Sequence, residues 1–492
     1  MNRWTTILLI ALFLAGLLGA ARLNEPLREA RRQYGISQAD PMINAPPLVV
    51  FSTVALGGFR GIIADILWIR SARLQDEGRY FELVQLADWI TKLEPRFTSV
   101  WAYHAWNLSY NISVLLKRPE ERWRWVRSGI SLLRDEGLRY NPGNARLLYE
   151  LGWLFQHKLG GNSDTAGDFY RRQWAAEMSE LWDGPTPDFD TLINAPPTEA
   201  ALLAQPDVAP LIAQLRAAGR DPFSPARIAE SRAAPPSDPL RTPAGQKLIA
   251  HLRLRALRDT YKLDPRTMRD LDSRYGPLDW RLPQAHAIYW GWQSLHVATR
   301  DFDIISADRM IFQSLGDAFR QGSLYTDPRR NIFIQSPNPA LAPRVLAAYD
   351  DTLKRFAGND SILEAKAYFM REAIIVYYSF NQTDAARDLF NQLRTQFPTF
   401  VPDANFETFV REEFLARQER LSRDTALSII NGALVQSAFW NTHGDPNRAA
   451  GYDHLAQLTW DGYHTRLPAQ PTDTPLPPLA ELRQRAAQEV AP

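Results

Sequence analysis

The chain has no cysteine among its 492 residues. Disulfides, thiolate metal sites and cysteine nucleophiles are therefore excluded, and either redox compartment is compatible with the sequence. An excess of charge of one sign is also missing. Lys and Arg number 56 against 55 Asp and Glu, a formal net charge of +1. A dedicated nucleic-acid binder would carry a basic face or stripe, so nucleic acid is not among the expected partners. No G-x-x-x-x-G-K-[ST] phosphate loop, G-x-G-x-x-G fingerprint, H-E-x-x-H helix or G-x-S-x-G elbow occurs. The eight histidines are scattered, and His443, His454 and His464, with Asp445 and Asp453 nearby, match no metal-ligand spacing. The expectation is no metal, no cofactor and no catalytic residue.

One long uncharged run is present. "WTTILLIALFLAGLLGAA" extends from Trp4 to Ala21 behind Arg3, about the length of a slightly short bilayer-crossing helix. It is long for a signal-peptide core, and Leu18 is large for a cleavage position. An uncleaved signal anchor over 1–23 is the expectation, with a cleaved signal and a buried helix as alternatives. Arg22, Arg28, Arg31 and Arg32 would hold the adjoining chain in the cytoplasm by the positive-inside rule. A short span behind a charged tip instead exports the chain on its C-terminal side. The expected location is the cell membrane, single-pass, with the soluble part outside the cytoplasm. A second apolar stretch, Leu48 to Ile69, contains Arg60 and Asp65. A charge pair inside a bilayer is costly, so this stretch is read as entering the soluble domain.

The segment "EGRYFELVQLADWITKLEP" (Glu77 to Pro95) places Tyr80, Leu83, Ala87 and Ile90 on one helical face after a turn at Gly78. A preceding helix has Leu67, Ser71 and Leu74 on its buried side. The unit spans 34 residues, Ala64 to Phe97. Trp101, Ala105 and Leu108 repeat the first-helix positions in step, and Gly137, Leu138, Tyr140 and Pro142 close the second unit. The Pro95-to-Pro142 distance exceeds one period, which implies an insertion near "LLKRPEER". Leu148, Leu151, Gly152 and Phe155 form a third first helix, with a partner expected near "DTAGDFYRRQW". Met370, Tyr377, Ala386, Phe390, Leu393 and Pro398 repeat the phase later, and "AHAIYWGWQSLHVATRDFDIISADRMIFQSL" reads as a further helix pair.

This pattern resembles the tetratricopeptide repeat (TPR) superfamily over a third to a half of the chain. The resemblance implies an all-α, TPR-like solenoid of helical hairpins in two arrays behind the N-terminal membrane-spanning helix. The segments are the anchor (1–23), a juxtamembrane stretch (24–59), the first array (60–183), a Pro/Ala-rich insertion (184–244), the second array (245–420), a capping helix and loop (421–464) and a Pro-rich tail with a short helix (465–492). The insertion holds 12 of the 35 prolines, and "SRAAPPSDPLRTPAG" within it reads as linker.

In TPR domains alternate turns of each first helix line a concave groove. Carried over, those positions are Asp65, Trp68, Gln75 and Asp76 in the first unit and Trp106, Ser109 and Tyr110 in the second. In the third they are Tyr149, Trp153, Gln156 and His157. Such an aromatic groove suits a peptide, an extended segment or a helix; the competing reading makes these aromatics ordinary core. The implied role is a membrane-anchored scaffold binding a protein or peptide partner in envelope complex assembly. A helical enzyme of envelope polysaccharide or peptidoglycan metabolism is the alternative, with Asp279 beside Trp280, Tyr289, Trp290 and Trp292 as its carboxylate and aromatic cleft. A purely structural spacer is the third class.

Overall fold

Apolar side chains three and four residues apart line one face of a helix and bury it against a neighbour. In the computed structural model the described residues are 59–490, apart from 183, 328–331, 402–404, 419–422 and 467–474, together with isolated earlier positions. The expected anchor and juxtamembrane stretch lie outside them. Among the described residues no helix is long and apolar enough to cross a membrane. The described residues are all-α apart from one two-stranded hairpin.

The first unit is α1 (Phe59–Asp76) against α2 (Tyr80–Leu93). Between them Gly78 holds φ +71°, a left-handed conformation that glycine adopts without steric cost. Leu83, Leu86, Ala87 and Ile90 are the buried face of α2. The chain turns at Pro95, whose carbonyl accepts from the Trp101 indole at 2.8 Å and from the Asn141 amide at 2.8 Å. One carbonyl thus ties the end of the first unit to both ends of the second.

The second unit comprises α3 (Thr98–Trp106) and α4 (Pro119–Ser131). The expected insertion near "LLKRPEER" is not a loop, since only Leu116 to Arg118 separate the helices. The extra residues lengthen both helices, which continue through π turns at Asn107–Ile112 and Leu132–Gly137. Two more π turns follow, at Leu154–Leu159 and Ala256–Tyr261. A π turn takes up one extra residue without ending the helix.

The third unit departs from expectation. α5 (Ala145–Trp153), with its π turn, packs most extensively on α13 (Pro283–Val297) and only lightly on the neighbouring α6 (Gly167–Ser179). Residues 160–282 are thus inserted within a helical pair. They include α6, α7 (Phe189–Asn194), α8 (Glu199–Leu203), α9 (Val208–Ala217), α10 (Ala226–Ala233), α11 (Pro243–Arg255) and α12 (Pro265–Tyr275). The 184–244 segment is not a linker between separate cores. Leu192, Leu202, Val208, Leu211, Leu215, Ile228 and Leu240 join the same hydrophobic core as Trp101 and Phe390. Its prolines sit at helix starts and turns, where a missing N–H costs little.

Beyond α13 the order is α14 (Asp301–Gln321), α15 (Ala342–Arg355), α16 (Asp360–Ser379) and α17 (Thr383–Gln396), each packed on the next, then α18 (Phe406–Gln418). Strands β1 (Ser323–Asp327) and β2 (Ile332–Ser336) pair antiparallel between α14 and α15. A second core gathers α19 (Arg423–Thr442), α20 (Pro446–Arg466) and α21 (Leu479–Val490), with Tyr325, Ile332 and Ile334 of the strands against it. The short terminal helix is docked: Leu479, Leu482 and Ala486 are buried, and Arg483 pairs with Asp453 at 2.7 and 2.8 Å.

Close helix approach depends on two glycines. A Cβ at Gly129 would lie 2.2 Å from Ser109 Oγ and 2.9 Å from the Ala105 carbonyl oxygen. At Gly152 it would lie 2.4 Å from Met310 Sδ and 3.3 Å from Trp290 Cβ. Gly129→Ala and Gly152→Leu are each expected to cost roughly 1–3 kcal/mol or more, read as a drop in the urea midpoint; unchanged midpoints would contradict these helix contacts.

Two buried histidines set an acid limit. Burial pushes the imidazoles of His104 and His286 down to about 4. Neither ring nitrogen of His104 has a partner among the described residues, whereas His286 Nε2 lies 3.0 Å from the Trp280 carbonyl. In the unfolded chain both would titrate near 6.5. Their neutral, buried state therefore favours the fold fully above pH 6.5, and the advantage is lost as pH falls toward 4, at roughly 3 kcal/mol each. Denaturant unfolding across pH 7 to 4 should show this loss. His104→Leu should flatten it, because an apolar side chain there has no proton to gain and leaves no ring nitrogen unpartnered; an unchanged slope in that variant would refute the assignment.

Candidate functional site

The first helices of the three N-terminal units carry a run of rings. On α1, Trp68 packs 5.1 Å from the Tyr103 ring and 5.9 Å from Phe97. On α3 and its π turn, Tyr103, Trp106 and Tyr110 follow at spacings of three and four residues, so they share a face. Trp106 stacks on Tyr110 at 5.8 Å. On α5 and its π turn, Tyr149 stacks on Trp153 at 6.4 Å, and Trp153 lies parallel to His157 at 4.8 Å and 7°.

Tyr110 and His157 join the two helices. The Tyr110 hydroxyl lies 3.0 Å from His157 Nδ1. Burial raises the Tyr110 phenol well above its ordinary value, against a hydrogen bond from Trp153. The Lys158 ammonium sits 4.8 Å from the Tyr110 ring centroid, a cation–π arrangement. Lys158 is itself buried and pairs with Asp164 at 2.6 Å, which also binds Arg122 at 2.6 Å. Burial lowers the Lys158 ammonium and alone would raise Asp164. Lys158, the Ala166 N–H and Arg122 more than offset that, and hold Asp164 below the usual carboxylate range. This buried charge group fixes the loop after His157 and places a cation behind the ring surface.

Of the residues expected in the groove, Trp106, Tyr110, Tyr149 and Trp153 come together, with His157. Trp106 is 38% exposed while Trp101, on the same helix, is 2% exposed. Trp68 and Gln75 group around Tyr103, whose hydroxyl donates to Gln75 Oε1; burial pushes that phenol up to about 12. Asp65 and Asp76 are exposed on α1, and the Asp76 charge adds to the upward push on the Tyr103 phenol. Gln156 is a correction. It is buried, and its amide reaches the Met310 carbonyl at 3.5 Å, so it braces α14 instead of facing the rings. The reason is the π turn, which rotates residues 154–159 relative to an unbroken α-helix. Ser109 is likewise buried, under Gly129. Tyr103 was missed, although its spacing from Trp106 and Tyr110 is a readable helical stripe.

Asp279, weighed as a carbohydrate carboxylate, is buried. It holds Arg281 at 2.6 and 2.9 Å, and Arg281 also donates to the Leu324 carbonyl at 2.7 Å. Trp280 and Tyr289 are core residues. Among the described residues no three His, Asp or Glu side chains are grouped to hold a metal ion. No protein-family model matches the chain, and no curated protein matches it.

Burial lowers the His157 imidazole from its ordinary value, and the Lys158 cation lowers it further. In an NMR titration His157 should therefore protonate below the ordinary value of about 6.5. Lys158→Met should move that midpoint upward while leaving the burial contribution in place. A midpoint that does not move would show that the cation is not felt at the ring.

Proposed function

We propose that this chain is a membrane-anchored, TPR-like scaffold that captures a protein or peptide partner on the ring surface of α1, α3 and α5. The single observation carrying this reading is the run of half-exposed rings carried by three successive first helices. Rings that only fill a core have no need of an open face, whereas rigid aromatics at modest entropy cost are effective contact groups. Two further features support it. α1 packs on α2, and α5 on α13, the kind of helix-on-helix pairing that a TPR-like reading requires. The outer face of α1 exposes Ile62, Ile66 and Ile69 at 56–65%, and the uncharged Trp4–Ala21 run lies upstream in the sequence. An apolar outer face is unlike the polar cap that ends a free-standing array and fits a start close to lipid. An envelope complex on the outer side of the cell membrane is the setting this reading implies. No catalytic residue is assigned.

The test compares two tryptophans in full-length protein. Trp106→Ala should leave folding nearly intact and weaken partner capture from detergent-solubilised membranes by about 2 kcal/mol or more. Trp101→Ala, a core truncation, should instead cost roughly 3–5 kcal/mol of stability. Equal damage to folding from both variants, or unchanged capture by Trp106→Ala, would remove the ring surface from consideration. The anchor is tested separately: the full chain should fractionate with membranes and resist carbonate extraction. Recovery in the soluble fraction with an intact N-terminus would overturn it.

A further inference from the structure

A second site lies where the inserted segment meets α4 and its π turn. A cleft of about 340 Å³ opens where α4 and its π turn meet α6 and the π turn after α11. Three of its lining residues come from π turns: Arg134 from 132–137, and Thr260 and Tyr261 from 256–261. Arg134 and Tyr261 are the pair that meet, the guanidinium carbon 5.8 Å from the ring centroid.

The lining is rich in donors and poor in acceptors. Arg124, Arg127 and Arg134 bring three guanidinium groups, against a single lining carboxylate, Glu177. That carboxylate is held loosely, by Arg127 at 3.4 Å and the Tyr261 hydroxyl at 3.5 Å. Arg124 makes no ion pair among the described residues. Arg134 is buried and is fixed by Asp135 through Nε and Nη2, both at 2.8 Å, which leaves Nη1 without an acceptor among the described residues. The buried indole N–H of Trp174, also in the lining, has no partner among the described residues. Guanidinium donors in a partly desolvated cleft seek an oxyanion, and planar guanidinium matches carboxylate or phosphate geometry. Trp174 and Tyr261 meet edge to face at 5.8 Å and give the cleft an apolar corner.

We propose that this cleft binds a small anion whose carboxylate or phosphate head is carried on a flat ring, the head on Arg124, Arg127 and Arg134 and the ring against Trp174 and Tyr261. Glu177 occupies part of the same donor set and competes with the ligand. Burial raises its carboxyl above the usual range, in keeping with a carboxylate whose partners are too distant to compensate its desolvation.

The test is calorimetric titration of the full chain in a neutral detergent with phenyl phosphate, benzoate and inorganic phosphate, at ionic strength held constant with NaCl. At least one ring-bearing anion should bind with 1:1 stoichiometry and more tightly than inorganic phosphate; phenyl phosphate and benzoate tell the two heads apart. Arg124→Ala, an exposed and unpaired position, should weaken that binding about tenfold. Glu177→Gln should tighten it, because the competing charge is gone. No heat beyond that of NaCl for any of the three, or full binding by Arg124→Ala, would overturn the proposal. Equal affinity for phenyl phosphate and inorganic phosphate, with benzoate silent, would overturn the role given to the apolar corner.

Discussion

The architecture depends on the seating of α5 on α13, two helices more than a hundred residues apart in sequence. Their junction is built on smallness. Gly152 of α5 and Gly291 of α13 both lie against Met310 of α14, where a Cβ on either would come within 2.4 and 3.2 Å of the sulfur. The Ser294 hydroxyl donates to the Ala145 carbonyl at 2.8 Å and holds the pair in register. The flexible thioether fills the space the glycines leave. With this junction in place, the units before residue 160 and those after 282 become one stack, and residues 160–282 must leave and return at a single point. The hydrophobic core runs from Trp101 to Val410 without a break for that reason.

The local period was legible in the sequence. Leu83, Ala87 and Ile90, then Trp101 and Ala105, then Leu148 and Leu151 are all buried where a 3.6-residue face would bury them. Gly152 was legible as a close-contact position, but its partner was not. Periodicity identifies the face a helix buries and says nothing of which distant helix covers it. The default that consecutive helices pair pointed to α6, whereas α13 takes that place. The prolines of 184–244 misled for a related reason. Proline marks where helices begin and turn, and short proline-bounded helices such as α9 still bury Val208, Leu211, Ile212 and Leu215.

The ring surface was legible in part because an α-helical wheel holds as far as Trp106 and Trp153. Beyond them it holds for Tyr110 and His157 but not for Ser109 and Gln156. Past Trp106 and Trp153 the π turns shift the register, so Gln156 and Ser109 rotate into the interior while His157 comes under Trp153 and Tyr110. A π turn has no reliable signature in one sequence, since it relieves an extra residue that only the packed partner makes evident. Lys158 shows the consequence most plainly. As a lysine it reads as surface, yet it is 2% exposed, paired with Asp164 and set over the Tyr110 ring.

The same device explains why chemistry-bearing side chains gather at two places on a scaffold otherwise devoted to packing. Each π turn leaves the helix locally wider and turns residues that a regular helix would place elsewhere. The turns at 107–112 and 154–159 meet through Tyr110 and His157, and those at 132–137 and 256–261 meet through Arg134 and Tyr261. A regular array needs only apolar complementarity between neighbours. The π turns pack as well, burying Leu108, Ile112, Leu133, Phe155, Leu159 and Leu257. Beyond packing, they set a hydroxyl against an imidazole in one pair and a guanidinium against a phenol in the other.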